Sequence, residues 1–566
     1  MKPRISTNIV RLMLLSAIVL FILTFTMIEP IDVIKLSDAK MYPLYYFLMQ
    51  PMTVWVIIPL TTLIIIFSPR SFHKVLAALI LAFIIEFLPS VIMVNPWLPD
   101  QYPYLAEAYW IYLHGEISDV HYLSIVPGLG LSYGVFEIVT NLSPFAVSKA
   151  FSLFQAIMLV TMLISLSKKL TDNYTLLPLL FLSFNYFANT TNTFHRSGLH
   201  FTYTLTFLYL VLILTMLSCQ HLKLKYSIAS AIVFSAMVLT YPGSGFILVT
   251  IIGAYILLYI AGKAPSLLKL SVMVFSIIFG VWYGYVASIE LRAIGFFWDS
   301  LLKVLGLELS FEESMTHPFS EGLTPLFSVL IYTRLLIEGG VIVAGCLVAL
   351  FKYTSAITSR LRGRGGNDVL FVYVLTLASL IAPAPWLLTE LSRWSFYKFN
   401  HYFLLFSLMS LLHYTYSQSR LRELASLLPI KTKFLVSVAI ISALLLVPLL
   451  RYASMPYLHV TTPELYSTLF VHEYFTFNSK CYYLEYPPYI RVLVRGDTLH
   501  ELTYMYWFEN LSVGLYVITD RALTRDGFYL YPQPLQVRLQ ELENVLTIRG
   551  DKVYDNEYNR IYDFRG

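Results

Sequence analysis

A chain of 566 residues that is 57% hydrophobic and only 13% charged, with a mean hydropathy of +0.67, is not a soluble domain, which carries roughly a quarter charged residues. Most of it belongs in lipid. A net charge of +5, scattered along the chain, leaves no electrostatic footprint for nucleic acid, and three cysteines (Cys219, Cys346, Cys481) give neither a disulfide framework nor zinc-ligand spacing.

The N-terminal "MKPRISTNIVRLMLLSAIVLFILTFTMIEP" has a basic start. Its apolar stretch of about 20 residues is long for a signal peptide and lacks a small-residue cleavage site, so it reads as a retained first span. Runs long enough to cross about 30 Å of hydrocarbon occur at 9–28, 44–67, 73–94, 148–167, 174–188, 199–218, 226–242, 245–262, 268–289, 325–351, 369–389, 399–416 and 434–452. That predicts a polytopic α-helical membrane protein of about 13 transmembrane helices. The stretch 127–140 is short and glycine-rich, and reads as re-entrant or interfacial.

Lys and Arg placement orients the spans. With the N-terminus in the cytoplasm, the inner segments hold 19 Lys and Arg, and the outer loops before residue 453 hold seven. An odd number of spans leaves the tail outside. The long loops, 95–147 and 290–324, then also lie outside, where substrate would be handled. The organisation read from this is a membrane domain over 1–453 and a small extracytoplasmic α/β domain over 454–566. In the tail, "GLYVITD" reads as a strand, "LQVRLQELENVL" as an amphipathic helix, and "DKVYDNEYNRIYDF" as a hairpin turning at Asp555-Asn556.

Loop 95–126 has helical period. Leu105, Ala108, Tyr109, Tyr112 and Leu113 share one face and Glu107 falls on another, as in a helix lying in the interface. Asp100 sits where the third span emerges and this helix begins. It can cap the helix, since Asp satisfies orphan amides there, or it can serve as a base.

The stretch "DQYPYLAEAYWIYLHGEISDVHYLSIVPGLGLSYGVFEIV" resembles the first external loop of the GT-C superfamily of membrane glycosyltransferases, through Asp100, Tyr104, Ala108, Gly115, Tyr122 and Pro127. "TYPGSGFILV" resembles a second marker of that superfamily, and the closing "DKVYDNEYNRIYDF" looks like the end of external domains in archaeal members. The resemblance implies transfer of a sugar from a polyprenyl-phosphate-linked donor to a protein, lipid or glycan acceptor on the extracytoplasmic face, with inversion. Membrane lipids are further partners, and nucleic acid is not one.

Such chemistry needs a carboxylate to take the acceptor's proton and cations to stabilise the phosphate leaving group. By position Asp100 is the base the resemblance implies, with Tyr104 beside the substrate. Second acids are sought at Glu107, Glu116, Asp119 and Glu137, of which Glu116 and Asp119 lie beyond the helix near His121. The cations at the same height are His195 and Arg196 in "NTTNTFHRSG", and Arg393, Lys398 and His401 in "TELSRWSFYKFNHY"; Arg suits bidentate phosphate contact, while snorkelling is the plainer role, above all for Lys398. "SFNYFANTTNTFHR" offers no paired acid for a metal, and the adjacent Glu312-Glu313 with His317 make a weak ligand set. No cofactor is expected; a divalent metal is possible but unsupported. This argues against an oligosaccharyltransferase and toward monophosphate donors, as in protein mannosyltransferase or aminoarabinose transferase relatives.

Within spans, Glu86 stands alone, and Arg334 and Glu338 are four apart on one helix face. Charges there are costly unless paired or wet. Arg334 and Glu338 fit a neutralised pair or the floor of a wet cavity. Two other classes remain open: a transporter or flippase, which would show internal repeats and interrupted spans, and a catalytically silent scaffold, for which Asp100 is idle.

Overall fold

In a computed structural model of the chain the described residues are 7–28, 51–92, 101–117, 127–171, 177, 178, 180, 198–218, 223–241, 244–283, 325–361, 370–382, 392–417, 437–446, 481–483, 499–501, 514–519, 547, 551–555 and 559–564. The helices are α1 (Thr7–Thr26), α2 (Met52–Phe67), α3 (Ser71–Ala82), α4 (Leu88–Ile92), α5 (Gln101–His114), α6 (Gly128–Thr140), α7 (Pro144–Thr171), α8 (Gly198–Ser218), α9 (Lys223–Thr240), α10 (Ser244–Ile260), α11 (Ser266–Val281), α12 (Pro325–Leu361), α13 (Leu370–Ile381), α14 (Ser392–Ser417) and α15 (Ser437–Leu446). Among the described residues, Thr7–Thr26, Ala146–Thr171 and Leu336–Ser359 are long and apolar enough to cross a membrane. This is a mostly helical membrane protein.

Two boundaries differ from the sequence expectation. The helix predicted over 399–416 begins at Ser392, so Arg393 and Lys398 ride on its first turns instead of a loop. The span predicted to end at residue 351 continues to Leu361, carrying Lys352 and Arg360 on helix. In both cases helical hydrogen bonding continues past the apolar run into polar residues, where hydropathy gives no signal of it. Most of the span predicted at 174–188, and all of loop 290–324, lie outside the described residues.

Between α3 and α4 the chain makes a π-helical turn, Phe83–Phe87, which holds the buried Glu86. Its rings lock onto α1: Phe83 meets Phe21 edge-on at 6.0 Å and Phe87 stacks on Phe25 at 6.0 Å. An inserted residue of this kind re-aims the side chains after it.

Side-chain contacts sort the helix ends into two groups. At one end His413 Nδ1 lies 2.9 Å from the Leu170 carbonyl, Lys352 sits over the Tyr414 ring, and the Tyr353 hydroxyl donates to the Leu257 carbonyl. At the other end Phe151 meets Phe201, and Tyr402 meets both Tyr203 and Phe246. Lys168 and Lys169 end α7 on the first face, beside Leu170. These contacts gather the C-terminal ends of α7, α10, α12 and α14 at one end and the first turns of α7, α8, α10 and α14 at the other.

In the C-terminal region the described strands β1 (Cys481–Tyr483), β2 (Leu499–Glu501), β3 (Gly514–Thr519), β4 (Asp551–Asp555) and β5 (Asn559–Phe564) form one sheet of order β2-β1-β3-β5-β4. β1 runs parallel to β2 and β3, while β5 runs antiparallel to β3 and β4. The expected strand "GLYVITD" is β3, in which Tyr516 is in register with Tyr562 and Val517 with Ile561. The expected hairpin is β4–β5. The helix predicted over "LQVRLQELENVL" lies outside the described residues.

Candidate active site

α5 and α6 pack side by side, and glycine sets their distance. A Cβ on Gly130 would lie 2.8 Å from Glu107 Cγ, and one on Gly134 would lie 3.0 Å from Ile111 Cγ2. The Gly130-x-x-x-Gly134 spacing puts both glycines on one stripe, the small-residue interface that lets helices approach where hydrophobic association supplies no drive. Since Gly130 pairs with Glu107 and Gly134 with Ile111, the two helices run parallel. Asn141 closes α6 in the left-handed region, at φ 54°, and its Oδ1 accepts from the Tyr112 hydroxyl at 3.3 Å.

This pairing corrects one expectation. Glu107 was placed by period on a different face from Leu105 and Ala108, yet all three are buried with Tyr104 and Ile111, and Glu107 is engaged by a neighbour. Tyr109, Tyr112 and Leu113 form the exposed side. The buried face is wider than the apolar stripe because glycines opposite leave room for a carboxylate stem.

Behind the pair, Tyr104, Leu105, Ala108, Leu129, Tyr133, Val147 and Phe151 make a compact apolar cluster. Tyr133 meets Phe151 edge-on at 4.8 Å, and Phe151 meets Phe201 of α8 at 5.4 Å. At the start of α6, a Cβ on Gly128 would lie 2.6 Å from Thr240 Oγ1 and 3.0 Å from the Leu239 carbonyl. The start of α6 thus lies against the end of α9.

The other wall is aromatic. Tyr402 of α14 meets Tyr203 of α8 edge-on at 5.2 Å and stacks on Phe246 of α10 at 5.2 Å. These contacts join the first turns of α8, which follow His195 and Arg196 in the chain, to the first turns of α14, which carry Arg393, Lys398 and His401. Thr202 and Ser244 are fully buried at this end, and their side-chain hydroxyls have no hydrogen-bond partner among the described residues.

Of the predicted site residues, Tyr104 is buried in the α5–α6–α7 cluster and Glu116 is exposed just after Gly115, which takes φ +71°. Arg393, Lys398 and His401 are placed as positions on α14. Asp100, which immediately precedes α5, and Asp119, His195 and Arg196 lie outside the described residues. Among the remaining acids, Glu137 is buried with Oε2 unpartnered among the described residues, and burial raises its pKa from the ordinary 4.5. Lys149, half-buried and engaged two positions after Val147, is a cation at this end that span counting absorbed into the start of α7. The signal for it was a lone Lys near the start of an otherwise apolar run. Among the described residues no group of three His, Cys, Asp or Glu is gathered to hold a metal ion.

The backbone is similar to that of the Archaeoglobus fulgidus oligosaccharyltransferase in the apo form, with a TM-score of 0.52 at 12% identity over 82% of this chain and 71% of that one. The same enzyme tethered with an acceptor peptide containing the NVT sequon gives 0.50 at 12% identity, over 83% and 71%. ArnT from Cupriavidus metallidurans in the apo state gives 0.45 at 10% identity, over 86% and 96%. No family model matches the sequence, and no curated protein does. At such identities the likeness is one of fold.

Proposed function

We propose, from the GT-C superfamily fold that this chain has, that it transfers a sugar from a polyprenyl-phosphate-linked donor to an acceptor outside the cytoplasm. The observation that carries this is the gathering of one helix end. Gly128 meets Thr240, Phe201 meets Phe151, and Tyr402 meets Tyr203 and Phe246, so the α5–α6 pair, the end of α9 and the first turns of α7, α8, α10 and α14 share that end.

In the proposed reaction the acceptor's heteroatom attacks the anomeric carbon as the bond from that carbon to the phosphate oxygen breaks, with inversion. The Asp100 carboxylate takes the acceptor's proton, and the phosphate leaves on its carrier with the bonding pair. Arg196 and Arg393, with His195, Lys398 and His401, neutralise the leaving phosphate at headgroup depth, and Tyr104 lines the sugar side. Glu116 and Asp119 are the second acids on the acceptor side. The donor is a monophosphate and the mechanism metal-independent, supported by the lack of a paired acid in "SFNYFANTTNTFHR". The N-terminus is cytoplasmic, about 13 spans follow, and 454–566 forms an extracytoplasmic α/β domain built on the β1–β5 sheet.

One observation favours a transporter instead: Glu86 in a π turn and the buried Glu338 place carboxylates inside the bundle, where ion pathways run. The test is sugar transfer or release from a panel of labelled polyprenyl-phosphate sugars, comparing wild type with Asp100→Asn in matched membranes. Turnover lost by about a hundredfold or more, the cost of removing a general base, supports the transferase. Undiminished turnover makes Asp100 a helix cap, and uptake into vesicles without turnover supports the transporter.

A further inference from the structure

α12 and α14 touch backbone to backbone. A Cβ on Gly345 would lie 2.6 Å from Ser407 Cα and 2.7 Å from its carbonyl oxygen, and Cys346, next along, shares a hydrogen bond with the Ser407 side chain. Two turns further on, Lys352 Nζ lies 5.0 Å from the Tyr414 ring centroid. Both pairs are separated by the same 62 positions, Gly345 to Ser407 and Lys352 to Tyr414. A constant offset means that the helices run parallel and in register, with a seam that repeats every seven residues.

Carried two turns the other way, about 10 Å along the axes, the same register pairs Glu338 with Asn400. Glu338 is 2% exposed and engaged in a polar or electrostatic interaction. It lies on the seam face of α12, two turns from Gly345. Asn400 lies on the seam face of α14, two turns from Ser407, and Arg393 falls on that face two turns beyond. A buried carboxylate in a membrane bundle is retained at a cost, and a polar residue on a heptad seam fixes register between helices.

We propose that Glu338 is a positioning residue that, through Asn400 on the parallel seam, sets the outer turns of α14 so that Arg393, Lys398 and His401 meet the donor's phosphate. This rests on the transferase reading above and adds to it the element that aims the cations. Glu338 touches no substrate and moves no proton; it acts on how α14 is held.

Two measurements test it. The first is geometric and independent of activity. In a background with Cys219, Cys346 and Cys481 replaced by Ala, Glu338→Cys combined with Asn400→Cys cross-links under mild oxidation in membranes, whereas Glu338→Cys combined with Ser407→Cys, about 10 Å out of register, does not. The second is binding of undecaprenyl phosphate to the purified full chain. Glu338→Gln and Asn400→Ala each weaken it by about 3- to 20-fold, the range of interhelical polar contacts, and the double variant is no weaker than the worse single. Melting temperatures of the variants stay near wild type, and Leu336→Ala, on the lipid-facing side of α12 at the same level, changes nothing. Preferred cross-linking to residue 407 overturns the register. Wild-type affinity in Glu338→Gln, additive losses in the double variant, or a fall in melting temperature with unchanged affinity overturns the positioning role. Correct cross-linking with no polyprenyl phosphate bound by wild type overturns the transferase reading itself, and the role of Glu338 with it.

Discussion

A methyl group on Gly128 would stand 2.6 Å from the hydroxyl oxygen of Thr240. That one contact closes the start of α6 onto the end of α9, residues more than a hundred positions apart. Glycine is required here because the Leu239 carbonyl lies only 3.0 Å away, and backbone does not give way as a flexible side chain does.

Gly128→Val therefore separates α6 from α9. Overpacking of this kind costs about 1–3 kcal/mol, so the melting temperature falls, and sugar transfer falls with it as the end of the bundle opens. Substituting Gly280, which has nothing within 4 Å of where its Cβ would stand, serves as the matched control for helical glycine. Equal melting temperatures for Gly128→Val and Gly280→Val would show that the contact is unimportant.

Glu137 gives a pH dependence of known sign. Burial raises its carboxyl above the ordinary 4.5, so the folded state binds the proton more tightly than the unfolded chain does. Stability that is present when the group is protonated is lost as pH rises from about 4.5 through the folded value. Glu137→Gln removes that loss. Thermal melts in detergent should show the variant more stable than wild type at pH 7 to 8, with the advantage gone near pH 4.

The proposed leaving-group role is tested by Arg196→Ala and Arg393→Ala. Each should raise the KM for the polyprenyl-phosphate sugar and lower kcat, by about tenfold or more together, because a charge-assisted contact that strengthens in the transition state acts on both. Lys in either place should recover only part, having lost the planar fork. Wild-type kinetics in both alanine variants would return these arginines to snorkelling.

Removing 454–566 tests whether the β-sheet region serves the acceptor. Donor hydrolysis should persist while transfer to acceptor weakens. Equal loss of both activities would show that the region completes the site itself.

Much of the architecture was legible in the sequence because it follows from local rules. The existence of the apolar helices, the β3 strand and the β4–β5 hairpin depends in each case on residues close together in the chain. The face of α5 was only partly legible. Period grouped Leu105 with Ala108 correctly, but it put Glu107 on another face, because nothing local shows that Gly130 stands opposite and leaves room for its stem. Arg393 and Lys398 looked like loop residues because hydropathy falls there, although the helix persists through them.

The sequence by itself determined that this chain lives in the membrane, since hydrocarbon thickness acts on one segment at a time. Only the tertiary structure decided which segments share an end and which helices lie in register. Gly128 finding Thr240, and Gly345 finding Ser407, depend on close packing between helices far apart in the chain, and no local pattern encodes that choice of partner.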